Sequence, residues 1–593
     1  MQNAETVLGV LRERGKRGLP LQRLYRQLFN PQLYLLAYGR IYSNQGAMTP
    51  GADGETVDGM SLAKIERIID ALRHERYRFS PVKRIYIPKK NGKKRALGLP
   101  SWSDKLVGEV IRLLLEAYYE PTFSDRSHGF RPGRGCHTAL REVEKTWTGT
   151  TWFIEGDIAQ CFDSLDHSVT LEILGEKIHD NRFLGLLRNM LQAGYLEDWK
   201  WNATLSGAPQ GGVVSPILSN IYLDRLDTFV EKELVPEYTR GAGRARNPAY
   251  EKVASAHAYA RRRGDRVTAR SLRQQLRNLP SGDPRDPGYR RLRYVRYADD
   301  HVLGFTGPKA EAEQIKQRLA TFLHDDLKLE LSREKTLITH ARTGAARFLG
   351  YEITVRHNQQ YISHGRRAVN GTIALRVPQT VIKTKCSPYM KLGKPEHRPR
   401  LVNDDDYTVI NTYGAEYRGL IQYYLLAKDV YRLSKVNWVM LTSLLKTLAC
   451  KHDSSVSKMA AKYMATIDTP HGPRRCFQIS VERGGGRKPL VARFGGIPLK
   501  RQTNAILTDR QPVPATIRRK ELISRLLQGR CEICEHAGEM QVHHVRKLAN
   551  LSRPGQPQPQ WAQLMTKRRR KSLVVCSDCH DRIHGQPATP ITQ

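Results

Sequence analysis

No run in this chain approaches the ~20 apolar residues that a membrane-spanning helix needs. Nor does it open on an apolar leader, since Met1 to Gly18 is polar and charged. Cysteine is scarce: there are nine in 593 residues, and four of the nine form two Cys-x-x-Cys pairs near the end. In an intracellular chain that spacing favours metal over disulfides. Acid is in deficit too, with 58 Asp and Glu against 97 Lys and Arg, a formal charge of +39. These absences argue against a membrane partner and a disulfide scaffold, and the chain is expected to be soluble and cytoplasmic. So large an excess of one sign, spread along the whole length, implies a polyanion contacted over a long surface. Affinity for it should fall steeply with salt as counterions are released. Core material is not lacking: 40% of residues are hydrophobic, over a length that by usual domain size gives roughly four domains.

The chain is organised around Tyr294-Val295-Arg296-Tyr297-Ala298-Asp299-Asp300-His301-Val302-Leu303-Gly304-Phe305. Two adjacent carboxylates stand between short runs of β-formers, the pattern of a tight hairpin with acids at its tip. Such neighbours repel unless a cation lies between them, and Mg²⁺ held by carboxylates and substrate phosphates suits the place. A solvated Asp-Asp turn is the bland alternative. A second apolar β-run, Thr151 to Asp163, carries Asp157 and ends in an acid. If Asp157 faces the hairpin tip, three carboxylates surround two cations about 3.5–4 Å apart, as in-line phosphoryl transfer requires. Between them lies Ala208-Pro209-Gln210-Gly211-Gly212-Val213-Val214-Ser215-Pro216, a Gly-rich turn into a helix, with Ser215 suited to the N-cap and Pro216 to the first position.

The order of acidic strand, Pro-Gln-Gly turn and Tyr-Ala-Asp-Asp hairpin resembles the palm of reverse transcriptases. It is most similar to the reverse transcriptase/maturases encoded within group II introns, from about residue 25 to the C-terminus. The resemblance implies an α+β multidomain fold: a right-hand polymerase with fingers, palm and a mostly helical thumb/maturase domain, followed by a small ββα-metal HNH module with a zinc site. The boundaries implied are 1–80 for an N-terminal extension and 81–360 for fingers and palm, with an RNA-binding insertion at about 235–290. Then come 361–480 for the thumb/maturase domain, 481–525 for a DNA-binding region or linker, and 526–593 for the HNH domain.

The same resemblance distributes roles. Asp157, Asp299 and Asp300, with Ile158 beside them, would hold catalytic Mg²⁺. Lys89 and Arg95, on a hairpin with a turn at Asn91-Gly92, would clamp the triphosphate of an incoming dNTP. Phe162 would lie under the sugar and exclude a 2′-hydroxyl, and Gln210 and Gly211 would contact the nucleotide. Arg131 and Arg134, in a Gly- and Arg-rich loop, are expected near template phosphates, and Arg418 in Tyr417-Arg418-Gly419-Leu420-Ile421-Gln422-Tyr423-Tyr424 near nucleic acid. Lys335 either donates a proton to departing pyrophosphate or forms a structural salt bridge. Tyr413, Tyr417, Leu420, Ile421 and Tyr424 share one helical stripe and read as core. The polar insertion contains one helix, Pro248 to Asn278, with Asn247 placed to cap it.

Near the end, Cys531-x-x-Cys534 and Cys576-x-x-Cys579 have the spacing of a four-thiolate structural Zn²⁺ site. Gln541-Val542-His543-His544-Val545 stands between them and His580-Asp581-Arg582-Ile583-His584 follows the second pair, which is similar to an HNH endonuclease. That likeness makes His544 the general base and gives His543, His580 and His584 to a catalytic Mg²⁺ or Mn²⁺. One departure stands out: Ser572 occupies the place where the family usually has an Asn that orients the base. The implied protein copies RNA into DNA, assists splicing as a maturase and nicks DNA for retrohoming by target-primed reverse transcription. Its partners would be the group II intron RNA in a lariat ribonucleoprotein, target DNA and dNTPs, with no membrane, in the bacterial cytosol or nucleoid. The alternative keeps the polymerase and maturase but makes the zinc module a DNA grip that does not cleave.

Overall fold

The computed structural model describes residues 3–585 apart from 45, 89–91, 93, 198–199, 203, 205–206, 208–211, 333, 359–360, 362–368, 484–486, 508–520 and 552–556. At its centre four antiparallel strands run in the spatial order Arg291–Tyr297, Asp300–Thr306, Trp152–Gly156, Ile338–His340. Because side chains alternate along a strand, the two faces divide cleanly. Ile154, Leu292, Tyr294 and Leu303 pack into one core with the helices Trp102–Tyr119, Ser215–Phe229 and Lys309–Asp325, while Phe153, Val295 and Val302 join a second core with the helix Cys136–Thr146 and the C-terminal helices. Tyr297 pairs with Asp300, so only Ala298 and Asp299 make the turn. Ala298 takes φ 55° there, the left-handed conformation that two-residue hairpin turns demand. Gly156 pairs with His301, and a Cβ on Gly156 would run into the imidazole.

Under this turn lies a buried ion pair. Arg296, fully buried, donates from Nε to Asp227 Oδ1 at 2.7 Å and from Nη2 to Asp227 Oδ2 at 2.5 Å. Its remaining N–H groups reach the Ala298 carbonyl (2.9 Å), the Ser127 hydroxyl (2.9 Å) and the Asn220 amide oxygen (3.3 Å). Tyr294 donates its hydroxyl to the same Asp227 at 2.8 Å. One guanidinium thus fastens helix Ser215–Phe229, the hairpin turn and the loop at Ser127.

A second sheet runs in the order Lys94–Leu99, Val82–Pro88, Tyr195–Glu197, Lys200–Asn202. Pro88 pairs with Lys94, so five residues connect these strands, and the expected turn residue Asn91 lies outside the described residues, as does Lys89. Helix Ser215–Phe229 begins one residue earlier than the sequence suggests: Val214 is its N-cap and Pro216 its second residue. The insertion holds two helices, not one. Asn247 does cap the first, accepting from the Ala249 N–H at 3.0 Å, but Pro248–Arg262 stops at Gly264 (φ +75°) and Arg266–Asn278 restarts with Asp265 as a new cap.

The C-terminal half is mainly helical, with Asp406–Tyr424 and Ser434–Lys451 at its core. On the first of these Tyr413, Tyr417, Ile421 and Tyr424 are buried, while Leu420 is half-buried against them. An antiparallel sheet of Met464–Ile467, Arg474–Arg483 and Arg487–Gly495 packs on the same helix, at a spot where Gly414 lets the Arg493 carbonyl approach. Its last strand, Arg487–Gly495, and the end of Arg474–Arg483 fall in the segment that the sequence left as linker or DNA-binding region. Among the described residues no helix is long and apolar enough to cross a membrane.

Asp227→Asn should strand the Arg296 guanidinium and cost about 3–5 kcal/mol, read as a lower urea midpoint. Arg296→Met combined with Asp227→Leu should recover much of that loss.

Candidate functional site

Asp157 follows the strand Trp152–Gly156 directly, and Asp299 and Asp300 close the neighbouring hairpin, so strand pairing alone brings the three acids to one end of the sheet. Their mutual repulsion is visible in their protonation. Burial, then the Asp299 and Asp157 carboxylates, push Asp300 up to about 7. Burial, with Asp157 nearby, holds Asp299 above the ordinary carboxylate range, opposed by Lys335 and Arg95. Lys335 Nζ lies 2.6 Å from Asp157 Oδ2, and this pairing raises the Lys335 ammonium above its usual range. A cluster of acids this crowded suits multivalent cations, which relieve the repulsion.

Ile158, beside Asp157, is buried and bridges to Leu331. Arg95 is exposed on its strand and close enough to act on Asp299. Phe162 is half-buried, edge-on to Phe130 with ring centroids 6.4 Å apart, and Phe130 in turn leans on Tyr297 beside the acids. Gln210 and Gly211 lie outside the described residues. The two loop arginines are engaged within the fold. Arg131 is 3% exposed, pairs with Glu120 at 3.0 Å and donates to the Ser124 and Ser127 carbonyls. Arg134 holds Asp125 at 2.6 Å. Arg418 is exposed on its helix.

In the C-terminal module, strands Gln541–His544 and Ser572–Val575 pair and lead into the helix Ser577–Ile583, a ββα unit. The thiols of Cys531, Cys534, Cys576 and Cys579 all lie within 4.8 Å of one another. Cys534 Sγ is 3.7 Å from Cys576 Sγ, close to the roughly 3.8 Å edge of a tetrahedron with ~2.3 Å metal–sulfur bonds. Burial alone would raise the Cys531 thiol, but backbone N–H groups of Cys534, Cys576 and Ile533 outweigh it and bring it down to about 7. The donor set fits a tetrahedral thiolate metal.

The histidines form a second cluster. His543, His580 and His584 converge on Asp58, whose oxygens lie 3.3, 3.5 and 2.8 Å from their ring nitrogens, with all four ligand atoms within 4.8 Å of one another. Asp58 comes from the N-terminal segment, where Met60 and Ser61 add a short third strand by pairing with Val542 and Gln541. His544 is buried, and burial above all lowers its imidazole to about 4, so it is neutral near pH 7. Its Nε2 meets the Tyr38 hydroxyl at 3.0 Å. The Ser572 hydroxyl instead accepts from Arg525 at 3.3 Å, although Ser572 pairs directly with His544 across the sheet.

A cavity of about 620 Å³ opens beside His544, between Tyr42–Met48 and the module, and Arg525, Arg546, Lys547, Arg570 and Lys571 line it against a single acid, Glu521. Sequence reasoning missed Asp58 and Tyr38. Both lie in a stretch that reads as helix and turn, and no local pattern announces contacts 486 and 506 residues away.

Residues 87–353 match the family model described as reverse transcriptase (RNA-dependent DNA polymerase), 373–472 that of type II intron maturase, and 531–580 that of AI2M/AI1M-like HNH endonuclease. The chain is 37% identical to the group II intron-encoded protein LtrA of Lactococcus lactis over 95% of each chain. It is 33% identical to a 91 kDa protein in the cob intron of Schizosaccharomyces pombe, over 96% of this chain and 70% of that one. A third relative, protein YkfC of Escherichia coli, is 34% identical over 58% of this chain and 85% of its own length. With a polymerase-type acid cluster and a histidine–thiolate module on one polypeptide, the chain belongs to the family of group II intron-encoded reverse transcriptase/maturases that carry an HNH endonuclease domain.

Proposed function

We propose that this protein binds the RNA of its own intron, supports its splicing, and then copies it into DNA from an end that its HNH module cuts in the target. The central sheet serves as palm, the hairpin Val82–Leu99 as fingers, and the helices from Gln379 to Tyr463 as the thumb that grips RNA. The observation that carries the polymerase reading is the meeting of Asp157, Asp299 and Asp300 at one sheet edge, with burial and like charge raising Asp300 to about 7. Bound Mg²⁺ would neutralise charge developing on the transferred phosphoryl group. The chain's own residues do the positioning. The three carboxylates hold the ions, Arg95 and Lys89 take the triphosphate of the dNTP, and Lys335 pairs with Asp157.

In the HNH module His543, His580 and His584 would hold Mg²⁺ or Mn²⁺, and the four cysteines a structural Zn²⁺. A bound divalent ion there supplies Lewis-acid polarisation of the scissile phosphate. His544, neutral at pH 7, takes the proton of the attacking water. Tyr38 accepts the Nε2–H of His544 and leaves the Nδ1 lone pair free, which supplies the orienting contact that Ser572 does not make. The basic cavity at Arg525, Arg546 and Lys547 suits the DNA backbone. Such a protein works in the cytosol, on chromosomal DNA.

Extension of a DNA primer on an RNA template in Mg²⁺ tests the polymerase reading. Asp299→Asn should lower it by more than the roughly 10–100-fold that a lost outer-shell partner costs a metal site, and undiminished extension would defeat the assignment. Cys576→Ser should release zinc, measured by a chelating dye, and lower the melting temperature of the module, because thiolate binding contributes directly to folding. Tyr38→Phe should slow nicking of one target strand about tenfold or more, a loss of roughly 1.4 kcal/mol, with KM for DNA unchanged. A wild-type chain that leaves that strand intact would make the module a DNA grip.

A further inference from the structure

The histidine cluster contains one residue that nothing in the module's own sequence announces. We propose that the nuclease centre takes its fourth protein ligand from the N-terminal segment: Asp58 binds the divalent ion together with His543, His580 and His584. The inference rests on the nuclease reading above and adds a ligand to it.

Three observations carry it. First, the donor atoms converge, all four lying within 4.8 Å of one another, yet neither ring nitrogen of His543, nor Nε2 of His580, makes a hydrogen bond among the described residues. A divalent cation among them would take a lone pair from each imidazole and from the carboxylate, giving every one of these groups a partner at once. Second, Asp58 is held as ligands are held. Its Oδ1 accepts the backbone N–H of His544 at 2.6 Å, an outer-shell bond of the kind that orients a metal-bound carboxylate. Third, the backbone beside it is built for the approach. Gly59 turns at φ +72°, donates its N–H to the Val542 carbonyl at 3.1 Å, and leads into the strand that pairs with Gln541 and Val542. Trp561 stands edge-on to His543 at 5.3 Å on the module's own part of the site.

The consequence is chemical as well as structural. One carboxylate lowers the net charge at the ion from +2 to +1 and strengthens its retention, and the module on its own would be left with an incomplete ligand set.

The test is Mn²⁺ binding by full-length chains, followed by the free-ion EPR signal. All chains also carry Asp299→Asn and Asp300→Asn, so that the polymerase carboxylates do not contribute. Asp58→Asn should weaken binding at least about tenfold, Asp58→Glu should recover part of it, and nicking should need correspondingly more Mn²⁺ with a similar rate at saturation. Wild-type affinity in Asp58→Asn, or faster nicking, would make Asp58 a plug and overturn the proposal. His543→Ala separates the two levels of inference, because Mn²⁺ binding that survives it would sink the nuclease reading itself. If Asp58→Asn loses its zinc or its cooperative melting, the unaltered chain decides. In crystals soaked in Mn²⁺, an anomalous peak in direct contact with an Asp58 oxygen, about 2.1 Å away, supports the ligand. A peak held by imidazoles and water alone refutes it.

Discussion

The buried pair of Arg296 and Asp227 is the constraint on which the polymerase half depends. A guanidinium with no exposure needs every N–H met, and here the partners come from three elements distant in sequence: Asp227 and Asn220 on a helix, Ala298 at the hairpin turn and Ser127 in a loop. Meeting that demand fixes the Ala298 carbonyl, and with it the two-residue turn whose next residues are Asp299 and Asp300. The repulsion between those acids therefore cannot be relaxed by shifting the backbone. Multivalent cations would relieve it, which is why so crowded a set of acids suits a metal.

The two halves of the molecule differ in how legible they were. The hairpin, the strand ending at Asp157 and the two Cys-x-x-Cys pairs are local patterns, and the structure has them where alternation and spacing put them. Boundaries were less secure: the left-handed Gly264 splits what composition reads as one helix, and Pro216 is tolerated at the second helical position as well as the first. The sheet Arg474–Gly495 was hidden because its strands are rich in Arg and Gly, residues that suggest solvent, whereas packing on Tyr417 through Phe494 decides the matter. Asp58 and Tyr38 were not readable at all. Each acts through a partner some 500 residues away, and periodicity carries no information over such a span.

The charge excess also resolves into two populations. Arg131 with Glu120, Arg290 with Glu311 and Arg398 with Glu416 are internal ties that use much of the available acid. Others, such as Arg418 on its helix and Arg546 and Lys547 beside the cavity at His544, are exposed. A deficit of acid is thus what leaves a cationic surface once the fold has satisfied its own ion pairs.

The short strand Met60–Ser61 pairs with Gln541–Val542, which follow far later in the chain. The loop closed by that pairing contains the entire polymerase. During translation the polymerase part can fold before the later strand of this pair exists, and closing so long a loop carries an entropic cost that grows only slowly with its length.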